Sequence, residues 1–370
     1  MRLTDSTAVI AGIGACLPPR IVDNRTVVAS GGLDTDDRWI RERTGITHRR
    51  HVDPGTSTGD LAVGAGRAAL ASAGDDSRPD MVLLATTTPD HPCPATAPSV
   101  AHRLGLGGVP AFDVNAVCSG FLYALATATA LVRGGACRTP LVIAADTYTT
   151  IVDRTDRTTA PIFGDGAGAV LLRAGRAHEP GAVVATDLGA DGAGQDLVTV
   201  PGGGSRHPRG LPQPSPDAHH FRMHGRAVYA HAVRHMTRSA RAALDEAAWP
   251  THTVEAFVAH QANQRILDSV ADRVGIPPRH RHGNIRTLGN TAAASIPLVL
   301  ADPDVHGAVP AGARALLTAF GGGLTWASVA LNWPTAVPRA EPPPHDLDTT
   351  PLCTPDLSRS HPWNPPVSTP

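Results

Sequence analysis

The sequence contains no lysine, because all 32 of its basic residues are arginine. A chain without lysine cannot form a lysine Schiff base with a carbonyl substrate, and it cannot supply the lysine of a phosphate-binding P-loop. These two kinds of chemistry are therefore excluded.

Charge of either sign is also scarce. Charged residues make up 18% of the chain, and 32 basic residues stand against 33 acidic ones. A balanced charge creates no overall field that would attract DNA or an anionic membrane. Nucleic acid is not an expected partner.

Cysteine is rare, and the cysteines are scattered along the chain. The five cysteines are Cys16, Cys93, Cys118, Cys137 and Cys353, with no C-x-x-C pair among them. An odd number of scattered cysteines argues against a secreted disulfide framework. The pattern predicts a protein of the reducing cytoplasm.

Long hydrophobic runs are missing as well. The longest apolar stretch, Phe121–Val132, is interrupted by threonines and ends at Arg133. That is shorter than the roughly 20 residues needed to cross a bilayer.

The earlier run Ala8–Leu17 contains two glycines and lacks a clearly positive flank, so it predicts a first strand and turn rather than a signal peptide. We expect a soluble protein that neither spans nor binds a membrane.

What remains is an α/β pattern. Hydrophobic residues form 42% of 370 residues, which is enough for a large core, and short apolar runs alternate with alanine-rich stretches of helical length. The predicted strands are Ala8–Ile13, Met81–Ala85, Ala111–Val114, Leu141–Ala145, Ala167–Leu172, Ala256–Ala259, Leu316–Ala319 and Ser328–Leu331. The predicted helices are Thr58–Ala73, Thr96–Leu104, Gly120–Arg133, His224–Ala247, Gln264–Val274 and Ala292–Leu300.

Two parts of the chain resemble each other. Pro79–Gly105 and Val254–Gly275 each read as strand, turn and helix, and each is followed by a residue that opens another helix, Cys118 in the first case and Asn290 in the second. This indicates either two related halves or a chance likeness between α/β segments.

The similarity suggests a division into 1–175, which carries the cysteine, and 176–334, which carries the histidine and asparagine discussed below. Residues 335–370 are rich in proline and lack periodicity, so we expect a tail that is disordered or lies along the surface. Glycine and proline also predict a loop at Pro201–Pro216.

Cys118 is the candidate nucleophile. It follows a predicted strand and begins a predicted helix in the segment "AFDVNAVCSGFLYAL". Free N–H groups and the positive end of a helix dipole stabilise a thiolate, so this position predicts a lowered thiol pKa. The alternative is an inert buried cysteine.

Two polar residues in the second half could assist such a thiol. His260 follows an apolar strand, at the kind of strand end where α/β sites collect, and its spacing does not match a zinc-binding H-E-x-x-H motif. Asn290 could cap a helix or present its amide to a substrate. For His260 the alternative is a satisfied core or surface histidine. No metal site is expected.

Three consecutive glycines lie in "AFGGGLTW" at residues 319–326. Glycine permits close backbone approach, so N–H groups here could form part of an oxyanion hole, and a simple glycine turn is the alternative.

The order cysteine, histidine, asparagine also occurs in papain-like hydrolases. Their C-G-[SA]-C-[WY] signature near the mature N-terminus is absent, and the cysteine here lies in the middle of the chain. This reading is therefore disfavoured.

Taken together, the motifs resemble the β-ketoacyl-acyl-carrier-protein synthase III family of the thiolase superfamily, in particular its polyketide-priming members. The resemblance covers about Thr7 to Trp333. The matching motifs are "DDRWIRERTGI" at Asp36–Ile46, "AFDVNAVCSGF", "IFGDGAGAV" at Ile162–Val170, "HQAN" at His260–Asn263, "GNTAAAS" and "AFGGGLTW".

The resemblance implies a thiolase-like fold of duplicated βαβαβ halves in five αβαβα layers, usually paired as a homodimer. It implies that Cys118 accepts an acyl group from acyl-CoA, while His260 and Asn290 assist decarboxylation of malonyl-acyl carrier protein. The oxyanion hole would consist of the N–H groups of Cys118 and Gly322. No permanently bound cofactor is implied.

The resemblance also implies binding residues. The CoA site would comprise Trp39, Arg43, Arg157, Gly225 and Asn263. Without the family likeness, Trp39 could equally be a core residue and the arginines solvated.

Arg265 and Arg273 would contact the acidic carrier protein. The acyl pocket would involve Cys93, Phe163 and Phe320. Many members have an aromatic residue at the position of Cys93, often contributed across the dimer interface, so the smaller thiol predicts a roomier starter pocket.

Three functions stay open at this stage. The first is a priming ketosynthase of polyketide or fatty acid synthesis. The second is an acyltransferase that uses Cys118 without condensation. The third is a non-catalytic ketosynthase partner subunit, against which the presence of all three polar residues counts.

Overall fold

The computed structural model describes residues 6–74 and 78–344. Within these ranges the strands are β1 (Ser6–Cys16), β2 (Arg20–Asp23), β3 (His48–His51), β4 (Met81–Ala85), β5 (Ala111–Val114), β6 (Pro140–Asp146), β7 (Gly166–Arg176), β8 (Val183–Ala190), β9 (Val198–Thr199), β10 (Arg222–Met223), β11 (Ala256–Ala259), β12 (Arg281–His282), β13 (Arg314–Gly321), β14 (Thr325–Asn332) and β15 (Arg339–Ala340).

The helices in the same ranges are α1 (Asn24–Gly31), α2 (Asp37–Thr44), α3 (Thr58–Ala73), α4 (Ala97–Arg103), α5 (Gly120–Arg133), α6 (Gly225–Glu246), α7 (Gln264–Val274), α8 (Ile285–Leu288), α9 (Ser295–Leu300) and α10 (Pro303–Ala308). Two 3₁₀ turns matter for the site. They are Val117–Ser119, directly before α5, and Ala292–Ala294, directly before α9.

The two large sheets have the same strand order. The first contains β1-β7-β6-β4-β5, and the second contains β8-β14-β13-β11-β12. In each sheet the fourth strand of this order, β4 or β11, pairs in parallel with both neighbours, and the second strand, β7 or β14, pairs antiparallel with both of its neighbours. This repeat confirms the predicted duplication of the fold.

The helices separate the sheets into five layers. Helices α3 and α4 cover the outer face of the first sheet, α5 and α9 lie between the two sheets, and α6 covers the outer face of the second sheet with α7 packed beside it. The αβαβα arrangement expected from the resemblance is therefore confirmed.

Small residues allow this close stacking. A side chain at Gly14 of β1 would lie 2.2 Å from the carbonyl oxygen of Ala65 in α3, so only glycine fits between strand and helix. In the central layer, Phe121 of α5 and Ile296 of α9 are buried in the same apolar cluster. Burying a side chain of this size contributes roughly 1.5–3 kcal/mol. This packing fixes the N-terminal ends of α5 and α9 between the two sheets.

Most predicted elements are present with small shifts at their ends, but β8 was not predicted. It forms an edge of the second sheet, and burial along it decreases from the buried Val183 and Ala185 to the exposed Leu188 and Ala190. At the other end of the chain, residues 335–344 belong to the segment that we expected either to be disordered or to lie along the surface. Arg339–Ala340 instead pairs in parallel with Gly14–Ala15 as an edge strand. The rest of the predicted tail, 345–370, lies outside the described residues.

In the part of the chain that the structure describes, no helix is both long and apolar enough to cross a membrane. The predicted loop at Pro201–Pro216 contains turns and bends but neither helix nor strand.

Candidate active site

Cys118 is the second residue of the 3₁₀ turn that precedes α5. The turn begins at Val117, whose φ of 49° is in the left-handed region that a β-branched residue rarely adopts. The Asn115 side-chain oxygen accepts a hydrogen bond from the Val117 N–H at 3.3 Å. This turn places Cys118 directly before the N-terminus of α5, as the sequence predicted.

The predicted lowering of the Cys118 pKa is wrong. Burial raises the pKa of this thiol well above its ordinary value, and the buried Asp146 carboxylate raises it further. The hydrogen bond from the thiol's own backbone N–H opposes the shift and is outweighed. Sequence position revealed the favourable end of the helix, but the desolvation of the sulfur depends on the surrounding fold. The resting side chain is therefore a neutral thiol.

His260 follows strand β11 directly and is buried. Its backbone N–H donates to the Thr318 carbonyl at 2.8 Å, which extends the pairing with β13 by one residue. Its side-chain Nδ1 lies 2.7 Å from the Ser295 Oγ. Burial lowers the pKa of His260 to about 3, so the imidazole is neutral near pH 7.

Asn290 precedes the second 3₁₀ turn and is also buried. Its Oδ1 accepts a hydrogen bond from the Ala292 N–H at 2.9 Å, and Ala292 has a φ of 47°. Its backbone N–H donates to the Ile162 carbonyl at 3.0 Å, which fixes the turn against the first half of the chain. Because Oδ1 is occupied, the Nδ2 group is the part of the amide that can donate to a substrate.

The turns at Cys118 and Asn290 are two copies of one structure. In both, an asparagine oxygen binds the N–H of the first 3₁₀ residue, that residue has a positive φ, and a helix follows. In this comparison Cys118 corresponds to Ala293. The Ala293 N–H donates to the Asp146 carboxylate at 3.0 Å. In the second half of the chain, the backbone N–H at this position of the turn therefore binds a carboxylate oxygen.

Cys118, His260 and Asn290 all line one cavity. The structure therefore brings together the three residues that sequence reasoning singled out. Phe163 and Phe320 also line this mainly apolar cavity, as the resemblance implied. Cys93 does not line it, because it lies in the exposed loop between β4 and α4 of the same chain.

Glycines of the triple-glycine segment pack directly against the Cys118 turn. A Cβ at Gly321 would lie 2.6 Å from the Ala116 carbonyl oxygen and 2.9 Å from the Cys118 nitrogen. Only glycine permits this approach of the two halves. Gly321 and Gly322 both line the cavity, so the glycine run adjoins the Cys118 N–H as predicted.

The predicted CoA-binding residues line a second cleft, which is wider and more open than the inner cavity. The guanidinium carbon of Arg157 lies 5.0 Å from the centre of the Trp39 ring, and that of Arg43 lies 5.9 Å from it. Gly225 and Asn263 line the same cleft. A flat aromatic ring beside two guanidinium groups is suited to a planar, negatively charged ligand such as a nucleotide.

Met223 lines both the cleft and the inner cavity, so the two spaces share a wall. Of the two arginines predicted to dock a partner, Arg265 is exposed and lines the cleft. Arg273 is also exposed but does not line the cleft, and its carbonyl accepts a hydrogen bond from Arg241 at 2.5 Å.

Sequence reasoning missed two residues that hold the site together. Ser295, the last residue of "GNTAAAS", contacts His260, and Asp146, at the end of a predicted strand, contacts the Asn290 turn through Ala293. Asp146 could have been identified from the sequence, because it is a charged residue at the end of an otherwise apolar strand. Ser295 carried no signal, because its role depends on the packing of α9 against β11. Among the described residues, no group of three or more histidine, cysteine or acidic side chains is placed to hold a metal ion.

Comparison with known proteins gives a consistent result. Residues 112–192 match the family described as 3-oxoacyl-[acyl-carrier-protein] synthase III, and residues 244–333 match its C-terminal family. The chain is 55% identical over 331 residues to beta-ketoacyl-[acyl-carrier-protein] synthase III 2 of Streptomyces coelicolor, which covers 90% of this chain and 95% of that protein. It is 48% identical to the synthase III of Pseudomonas aeruginosa, over 90% of this chain and 98% of the relative.

Solved structures agree with this. The synthase III of Pseudomonas aeruginosa PAO1 superimposes with a TM-score of 0.82 at 46% identity, over 90% of this chain and all of the other. The priming β-ketosynthase of the R1128 polyketide pathway does so with a TM-score of 0.81 at 35% identity, over 89% and 97% of the two chains. By sequence, fold and the cysteine, histidine and asparagine of one cavity, the chain belongs to the 3-oxoacyl-[acyl-carrier-protein] synthase III family of transferases.

Proposed function

We propose that this enzyme condenses an acyl-CoA starter with malonyl-acyl carrier protein through an acyl thioester on Cys118, with release of CoA and carbon dioxide. The single observation that carries the proposal is the convergence of Cys118, His260 and Asn290 on one apolar cavity. Residues 1–175 would supply the nucleophile, and residues 176–334 would supply the two polar side chains.

The first step is acyl transfer. The Cys118 thiol loses its proton, the sulfur attacks the thioester carbonyl of acyl-CoA, and the CoA thiolate leaves and takes up a proton. The negative charge that develops on the carbonyl oxygen would be held by the N–H groups of Cys118 and Gly322. Binding of the Asp146 carboxylate by the equivalent Ala293 N–H, at 3.0 Å, supports this role for the turn.

The second step is decarboxylation and condensation. Loss of carbon dioxide from the malonyl group leaves an enolate on the thioester oxygen, and neutral donors from His260 and Asn290 would stabilise that oxygen. The carbanion then attacks the Cys118 acyl carbonyl, and the cysteine thiolate leaves. A neutral His260 suits this role, because a neutral ring N–H can donate to the enolate oxygen without placing a fixed charge in an apolar cavity.

The wide cleft would bind the CoA portion. The Trp39 ring and the Arg157 guanidinium would take the adenine between them, Arg43 would face the phosphates, and Gly225 and Asn263 would contact the pantetheine. The pantetheine of the carrier protein would enter by the same route. Arg265 at the rim of the cleft, and Arg273 beyond it, would attract the acidic carrier protein.

We further propose that the enzyme works as a homodimer that accepts starters larger than acetyl. Cys93 is exposed in its own chain, so it would reach an acyl cavity only in a second copy. A thiol there occupies less space than an aromatic ring, which favours branched, longer or aromatic starters. This would suit the priming of polyketide synthesis better than housekeeping fatty acid synthesis. The R1128 priming ketosynthase among the similar structures supports that preference.

Two experiments test these proposals. Intact-protein mass spectrometry after incubation with a panel of acyl-CoAs would reveal the mass added by each accepted starter. Cys118→Ala should abolish the added mass, whereas Cys137→Ala, a buried cysteine away from the cavity, should retain it. Exclusive use of acetyl-CoA would overturn the proposed large pocket, and acylation of Cys118→Ala would overturn the nucleophile.

The second experiment measures carbon dioxide release from malonyl-carrier protein by His260→Ala and Asn290→Ala. Removing one such donor typically costs about 10²–10³-fold in rate. We expect losses of this size with acylation of Cys118 largely retained. Condensation at the wild-type rate in both variants would contradict the roles assigned to His260 and Asn290.

A further inference from the structure

Ser295 is placed to control the protonation pattern of the His260 ring. It is the first residue of α9 and is almost completely buried. Its Oγ lies 2.7 Å from the His260 Nδ1 and 3.3 Å from the backbone nitrogen of Gln261. Ser295 does not line the cavity, so helix α9 contacts the histidine from outside it.

The donors and acceptors in this group can be counted. The Gln261 N–H can only donate, so the Ser295 oxygen accepts from it. The serine hydroxyl has one hydrogen to donate, and the acceptor that the structure offers it is the His260 Nδ1. A ring nitrogen that accepts this hydrogen bond carries no hydrogen of its own. In a neutral imidazole the other nitrogen, Nε2, then carries the hydrogen.

We propose that Ser295 is a positioning residue that holds neutral His260 with its hydrogen on Nε2, so that the ring serves as a hydrogen-bond donor to the substrate thioester. The inference rests on the condensation proposed above and deepens it, because it states how His260 performs its part. It also excludes a role in which the resting Nε2 accepts the Cys118 proton. His260 and Asn290 are then equivalent in kind, since each presents an N–H to the same developing charge.

A spectroscopic experiment tests the protonation pattern without relying on activity. The full chain is labelled with ¹⁵N in histidine only, and the two ring nitrogens of His260 are assigned by comparison with the His260→Gln variant. We expect Nδ1 to resonate as an unprotonated nitrogen and Nε2 as a protonated one at pH 7.5. A protonated Nδ1 in the wild-type protein would overturn the proposal outright.

Variants test the consequence for the reaction. Ser295→Ala removes the hydroxyl with little change in volume, and we expect it to lower carbon dioxide release from malonyl-carrier protein about ten-fold or more. Acylation of Cys118 by acyl-CoA should stay within about two-fold of wild type, because that step does not use the His260 donor. Ser295→Thr restores a hydroxyl and should recover most of the lost decarboxylation.

Ser72→Ala is the matched control. Ser72 lies on α3, accepts a hydrogen bond from the Ile13 N–H at 3.0 Å and donates to the Val337 carbonyl at 2.6 Å, so it makes the same kind of contacts far from the cavity. It should leave both half-reactions unchanged.

Equal loss of both half-reactions in Ser295→Ala would indicate a structural role and contradict the proposal, as would wild-type decarboxylation in that variant. The ¹⁵N measurement on the wild-type protein decides the question even if Ser295→Thr folds poorly. A wild-type enzyme that acylates but releases no carbon dioxide would instead contradict the proposed function, whatever the protonation of His260.

Discussion

The Asp146 carboxylate accepts a hydrogen bond from the Ala293 N–H at 3.0 Å. This contact joins the end of β6 in the first half of the chain to the turn that carries Asn290 in the second half. The same carboxylate accepts from the Thr87 N–H at 2.7 Å. Burial outweighs these hydrogen bonds and raises the Asp146 pKa to about 6. The turn that carries Asn290 is therefore held by a carboxylate that does not line the cavity.

Asp146→Asn should destabilise the fold and misplace the Asn290 turn. The amide replaces one acceptor oxygen with a donor, so a buried backbone N–H loses its partner, which costs about 1–3 kcal/mol. Urea unfolding at pH 8 measures this loss, and carbon dioxide release from malonyl-carrier protein measures the effect on the turn.

Asp165→Asn is the matched control for that variant. Asp165 is also buried, and it accepts from the Val52 N–H at 2.8 Å and the Thr149 N–H at 3.0 Å. We expect a similar loss of stability with decarboxylation per folded molecule unchanged. Equal losses of activity in both variants would contradict a specific role for Asp146.

Acylation of Cys118 should speed up with pH across the neutral range. Burial raises the thiol pKa, so the fraction of thiolate is small at pH 7 and grows about ten-fold per pH unit. Rapid-quench mass spectrometry with one acyl-CoA, between pH 6.5 and 8.5, measures the rate of acyl-enzyme formation. A rate that is already constant above pH 6.5 would indicate a thiolate in the resting enzyme and contradict this prediction.

The buried His260 should make the wild-type protein sensitive to acid. Its pKa is about 3 in the folded state and 6.5 as the ordinary value, so below pH 6.5 the unfolded chain binds a proton that the folded chain does not. Stability is therefore lost as the pH falls from about 6.5 towards 3. Between pH 7.5 and 5 this linkage amounts to about 2 kcal/mol.

Urea unfolding of wild type and His260→Gln at the two pH values isolates this contribution. The free energy of unfolding of the wild type should fall by about 2 kcal/mol more than that of the variant. Equal falls would mean that His260 titrates normally in the folded protein.

The cleft arginine should matter for CoA binding rather than for chemistry. Arg157→Ala removes the guanidinium that lies 5.0 Å from the Trp39 ring, and a cation–π contact of this kind is worth about 0.5–2 kcal/mol. We expect the KM for acyl-CoA to rise about 2- to 30-fold with kcat little changed. Initial-rate kinetics check this.

Arg38→Ala serves as the control, because Arg38 lies on the same helix as Trp39 but is exposed and paired with Glu42. An equal rise in KM in both variants would indicate a general effect of surface charge instead of a contact with the ligand.

Much of the fold could be predicted from hydrophobic patterning. Strands such as Met81–Ala85 and helices such as Gly120–Arg133 and Gln264–Val274 have the predicted bounds, because both their interiors and their ends carry strong local signals. The duplication was visible in the sequence and became certain only with the matching strand orders. Strand β8 escaped prediction because an edge strand with one solvated face has no long apolar run.

The three central residues of the site could also be predicted, since each sits at the end of a recognisable strand or at the start of a helix. The state of the thiol could not, because desolvation and the charge of Asp146 act through space from residues distant in sequence. The same holds for Ser295, which meets His260 only after α9 packs against β11. The contribution of Cys93 stays a prediction that awaits a second copy of the chain.

The turns before α5 and α9 have the same kind of backbone structure but different side chains and different hydrogen-bond partners. Similar backbone geometry places the Cys118 sulfur on one side, and on the other Ala293, whose N–H already donates to the Asp146 carboxylate. A cysteine moved from position 118 to the equivalent position in the second turn would therefore also require a change at Asp146. The N–H group there is already bound to the Asp146 carboxylate and cannot bind the oxygen of a substrate.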